Sequence, residues 1–238
     1  MLFRSRVICP NSVSNIPTGA GSRRGGRYKD VPMINQLLRR WRRPTITTGA
    51  ELGVFLDQGA SLIAQKTVMG YITVKTMLPL HELTCEKQFA DAFEISRWEA
   101  YAAALSDVVM VAEGYLRPSA GTNAPALATK LADLHADTLR RHPAPAHRAD
   151  GWEGEVAALH QRVTTAQLAP PRAMADIALT GAERIYATLP IHERLREPDK
   201  PAIVTNVQFM MVGLAHRFNA EFDSAAIVAE LLGETPTP

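Results

Sequence analysis

Cysteine is nearly absent: 238 residues contain two, Cys9 and Cys85. Two isolated thiols build no disulfide framework and no Cys-x-x-Cys metal knuckle, which excludes a stapled mini-fold and a zinc ribbon and favours a reducing compartment. Aromatic residues are also scarce, at 6%. No run alternates β-branched and polar residues between turn signals. The nearest, YITVKT at Tyr71 to Thr76, continues a helical pattern from upstream. Long apolar runs are missing too. The longest uncharged stretch, Pro201 to Ala215, includes Asn206 and Gln208 and is too short and too polar to span a bilayer.

Familiar catalytic spacings are missing as well. None of the seven histidines sits in His-Glu-x-x-His or Glu-x-x-His, so no metal site and no cofactor are expected. His135, between Asp133 and Asp137, reads as part of a polar helix face, and His142 and His147, beside prolines, read as solvated linker residues. No Gly-x-Ser-x-Gly occurs. His81 and Cys85 are four apart, but at the start of a helix, where an inert thiol is the expected reading rather than a Cys-His dyad. The stretch GAGSRRGG, Gly19 to Gly26, has neither a strand before it nor a helix after it to fix its backbone around a phosphate, and reads as flexible arm.

What is present is alanine, 46% hydrophobic residues and a lopsided charge layout. Residues 1–43 hold ten Lys or Arg and one acid, Asp30, which leaves 16 basic and 23 acidic residues beyond them, a net of −7. A basic head precedes an acidic body. Residues 1–32 mix Ser, Gly, Pro and Arg without periodicity and are expected to be disordered. Three readings stand for them: a transit peptide, an extension ahead of a true start at Met33, or a working basic arm. The first would place the protein in the mitochondrial matrix; otherwise it is expected in the cytoplasm. The cluster Arg39, Arg40, Trp41, Arg42 and Arg43 is the expected contact for an acidic partner, for nucleic acid or for an anionic membrane. The plainer reading gives those arginines to a helix C-terminus and Trp41 to packing.

The remainder, 33–238, reads as a single all-α domain with a candidate subdivision at 142–150. Helices are expected at about 33–43, 48–77, 85–117, 124–141, 151–167, 171–188, 200–219 and 223–232. Thr48 and Glu51 have capping-box spacing, Pro118 should end the third of these helices, and Pro171 suits a helix first turn. The small residues from Gly49 to Gly70 permit close helix docking, within the chain or in a dimer. Helices 48–77 and 85–117 form a long antiparallel hairpin. If it closes near 80–84, Ile63 meets the turn of Tyr101, Lys66 pairs with Glu99, and Leu56 lies near Asp107. With no cation in that neighbourhood, Asp107 is expected at the solvent edge. A pocket, if one exists, is then expected at Lys66, Glu94, Arg97, Trp98, Glu99 and Tyr101.

The function that follows is a non-catalytic helical interaction protein, an adaptor, assembly factor or subunit with a protein partner or a second copy of itself. The rivals are a small-molecule-binding protein or enzyme with that interhelical pocket, and non-specific binding to nucleic acid or an anionic membrane through the head.

Overall fold

A computed structural model describes residues 45–172 and 174–234, without the side chains of Met174 and Ala175. Contacts divide the chain into residues 1–42 and 43–238, so the described part belongs to the second unit. The expected disordered arm, the helix at 33–43 and the cluster Arg39, Arg40, Trp41, Arg42 and Arg43 lie outside the described residues.

The described unit is all-α. Its helices are α1 (Gly49–Thr76), α2 (Leu80–Leu83), α3 (Lys87–Ala120), α4 (Ala124–Arg140), α5 (Glu153–Ala166), α6 (Met174–Thr188), α7 (Glu193–Arg196), α8 (Lys200–Glu221) and α9 (Ser224–Leu232). The capping box forms at the head of α1: Thr48 Oγ1 accepts from the Glu51 amide, and Glu51 accepts from the Thr48 amide. Asp223 caps α9, and Gly233 closes it in the left-handed conformation with φ 71°. Pro118 does not end α3. The ring forfeits one backbone bond, but the helix runs on to Ala120 and stops at Gly121, whose φ of 53° is open to glycine. In contrast, α6 starts at Met174 and leaves Pro170 and Pro171 in the loop before it.

The hairpin of α1 and α3 is the centre of the bundle, and α3 packs most extensively against α1 and α6. Its register differs from the expectation. Tyr101 Oη donates to Asp57 at 2.6 Å, so Tyr101 meets the turn of Asp57 rather than that of Ile63. The cause is an earlier reversal: Met77 takes the left-handed conformation (φ 57°), and Pro79 breaks the helix immediately after. The small face of α1 is used within the chain. A Cβ on Gly59 would come within 3.1 Å of the Leu214 side chain of α8, so the glycine lets the two helices pack closely there.

One core runs through the unit, with Leu56, Ile63, Leu105, Leu131, Ile185 and Met211 fully buried in it. The segment between α4 and α5 folds back on α3 rather than hanging in solvent. His142 Nε2 lies 3.0 Å from Asp57 Oδ1, Trp152 Nε1 donates to the His142 carbonyl, and the Trp98, Tyr101, His142 and Trp152 rings pack together. That contact corrects the expectation of a solvated His142, and it ties the candidate boundary at 142–150 into the bundle.

His135 is a second correction. It is 0% exposed, and neither ring nitrogen has a hydrogen-bond partner among the described residues. Burial, against a weaker opposing pull from Glu155, pushes it down to about 4. The unfolded chain therefore binds a proton that the folded one refuses, and stability is lost as pH falls from about 6.5 toward 4. His135→Leu should remove roughly 2–3 kcal/mol of that acid sensitivity, read from urea unfolding at about pH 7 and about pH 4.5.

Candidate functional site

Helix α3 is apolar for most of its length, yet Glu99, Ser106, Met110, Glu113 and Arg117 fall on one face at helical spacing. That face meets α5, which runs beside it in the same sense, and α6, which runs against it. Asp107 sits on the flank of the stripe turned toward α6. Each polar residue of the stripe finds its partner on a segment 48 or more residues away, apart from the local Glu113–Arg117 pair.

At the first end Glu99 receives Arg148 (2.8 Å to each oxygen), Arg184 (2.6 Å) and His147 (2.8 Å). Arg148 and Arg184 also bind Glu155, at 2.9 and 2.7 Å. Burial alone would raise Glu99, but the hydrogen bonds from His147 and Arg184 and the guanidinium charges outweigh it and hold the carboxyl at about 2. Glu155 is lowered for the same reason, and Arg184 is raised by its two carboxylates against the effect of burial. His147 is exposed, as expected of a linker residue, and it bonds Glu99 from the solvent side of the ionic clasp.

At the far end Glu113 is buried and takes two parallel bonds from Arg117 at 2.6 and 2.7 Å and one from Gln167 at 2.7 Å. Arg117 also donates to the carbonyls of Ala166 and Ala169, the open C-terminal end of α5.

Between the two ends the sequence expectation fails most plainly. Asp107 is 1% exposed, and Arg162 Nη2 lies 2.7 Å from its Oδ1. The same guanidinium donates to Ser106 Oγ at 2.8 Å and to the Ile177 carbonyl at 3.2 Å, and the Gly181 backbone N–H also favours the ionised carboxylate. Burial pushes the Asp107 carboxyl up to about 6, although the Arg162 charge pulls the other way. Two facts hidden from the local sequence explain the error. Helix α6 covers this side of α3, with Gly181 leaving room for the carboxylate, and the cation arrives from α5, 55 residues downstream.

The Arg162 side chain, 30% exposed, is also the wall of a cleft of about 580 Å³ between α3, α5 and the segment leading into α6. Met110, Ile177, Leu168 and Pro171 supply apolar lining, while Arg117 and Arg172 add positive charge. Arg172 is exposed and forms no ion pair among the described residues. The volume suits a small ligand, and the lining combines apolar surface with a few polar groups.

The pocket expected from the sequence is not assembled in one place. Lys66 is exposed and does not reach Glu99, which faces α5 and α6. Glu94 pairs with Arg97, as its i,i+3 spacing implied, and accepts from Trp98 Nε1 at 2.7 Å. Tyr101 is committed to Asp57. The cleft lies two to three turns further along α3. Arg117, Arg148, Arg162 and Arg184 were not foreseen. The available signal was Glu99, Glu113 and Arg117 recurring on one face of an apolar helix, which demands cations from elsewhere. Cys85 Sγ bonds the His81 carbonyl at 3.2 Å, not the imidazole. No family model, no curated protein and no solved structure matches the chain.

Proposed function

We propose that this protein binds a small monoanion with an apolar tail in the cleft between α3, α5 and the 166–172 segment. One observation carries the reading: Arg162, whose side chain is 30% exposed and lines the cleft, has its guanidinium held by a buried carboxylate, a hydroxyl and a carbonyl. Such a cation is already oriented, so little ordering cost remains when an anion arrives. Arg172 at the mouth adds attraction, and Met110, Ile177 and Leu168 provide for the tail. The exposed free thiol of Cys85 supports a reducing compartment, the cytoplasm in this reading.

A melting screen of octanoate, octanol and phosphate tests it. At saturating concentration, near a hundred times Kd, octanoate should stabilise by about 2.7 kcal/mol, which moves the melting temperature by roughly 5–10 °C. Octanol should give much less. The shift should vanish in Arg162→Gln, and a shift that survives this change rules out Arg162 as the anchor.

A second reading, docking of a protein partner or another copy, is favoured by the exposed apolar set at the end of α1. There Val74 is 74%, Met77 84% and Leu78 44% exposed. Sedimentation across a concentration series separates self-association from a monomer.

A further inference from the structure

Arg162 serves two sites at once. Its Nη2 lies 2.7 Å from Asp107 Oδ1 at the back, while the same side chain forms part of the cleft wall at the front. Asp107 is 1% exposed, the charged groups that face it are Arg162 from α5 and Arg184 from α6, and the Gly181 backbone N–H also favours its ionised form. Arg184 is itself engaged by Glu99 and Glu155. One guanidinium therefore compensates the buried carboxylate. If a ligand carboxylate docks on the cleft side of Arg162, two anions share one cation in a water-poor setting. Their repulsion is large there, and screening is weak.

We propose that the cleft takes up one proton at Asp107 for each monoanion it binds at Arg162. The step is simple in its balance. An O–H bond forms on the Asp107 carboxylate with a proton from solvent, the ligand stays ionised, and no other bond changes. The Asp107 carboxylate lies directly against Gly181, where an added Cβ would fall 2.0 Å from Oδ2 and 2.9 Å from Cγ, and it is buried between α3 and α6. Neutralisation in place relieves the repulsion without moving it. The proton is accessible near neutrality because burial already places this carboxyl at about 6 before any anion arrives.

The consequence is an anion site that works best on the acid side of neutral and lets go as pH rises. This inference rests on the reading of the cleft as an anion site, and the test separates the two. Octanoate stays ionised above about pH 6 and so contributes no proton change of its own. Calorimetric titration of the full chain with octanoate should show affinity at least tenfold lower at about pH 8 than at about pH 6. Repeated near pH ~7 in buffers of different ionisation heat, it should report uptake of close to one proton per octanoate. Asp107→Asn should bind octanoate with the same affinity at both pH values and with no proton uptake. Carbon-13 titration of the wild-type aspartate carboxyls gives a second measurement that needs no variant: one buried carboxyl should titrate at higher pH with octanoate present than without.

Equal affinity and no proton uptake in the wild type would overturn the coupling and leave the cleft standing as an anion site. Coupling that persists in Asp107→Asn would overturn the assignment to Asp107. Absence of octanoate binding at about pH 6 overturns the cleft reading, and the proton coupling with it.

Discussion

Gly181→Ala should destabilise the protein by about 3 kcal/mol or more, although in an exposed helix the same change gains up to about 1 kcal/mol. The sign is inverted by one neighbour. The added methyl would sit 2.0 Å from Asp107 Oδ2 and 2.9 Å from its Cγ. Asp107 is buried with its carboxylate against Arg162, so any retreat forfeits that contact. Either α6 moves off α3, losing one of the two largest helix contacts of the unit, or the Asp107–Arg162 contact breaks and leaves a buried charge unpaired. Asp107→Ala removes the obstacle, so Asp107→Ala/Gly181→Ala should be more stable than the two single costs add up to. A double-mutant cycle in urea reads that coupling directly, and additive costs would mean the two residues do not touch.

Arg184→Met should cost about 3–5 kcal/mol, a melting-temperature fall of roughly 6–20 °C. It is the shared cation of Glu99 and Glu155, and its removal leaves two largely buried carboxylates with Arg148 and His147 as their remaining partners. The pH dependence fixes the mechanism. Glu99 is held at about 2 when folded, below its ordinary 4.5, so its contribution is fully present above about 4.5 and is lost as pH falls through about 2. The gap between wild type and Arg184→Met should therefore narrow over that acid interval. A constant gap would assign the loss to packing of the arginine stem instead.

Helix positions were legible in the sequence because the information is local. Thr48 with Glu51, Asp223 and Gly233 mark ends by chemistry within four residues, and apolar spacing marks the faces between them. The hairpin partner of each residue was not, since a reversal at Met77 instead of a few residues later slides every pairing by more than a turn. The site was harder still. Glu99, Asp107 and Glu113 could be seen as charges on an apolar helix, but Arg148, Arg162 and Arg184 become their neighbours only once α5 and α6 lie across α3. The burial of Asp107 was not legible from its hairpin partner α1, because the carboxylate faces α6 and its cation comes from α5.

The ionic clasp at Glu99 has a mechanical meaning for the cleft further along the same helices. It ties the start of α5 and the end of α6 to α3 through four charged side chains and a histidine. The opposite end is tied by Arg117 reaching the carbonyls of Ala166 and Ala169 and by Gln167 reaching Glu113. A ligand in the cleft therefore sits between two polar seams, and the apolar stretch between them is the part of the wall it can press against.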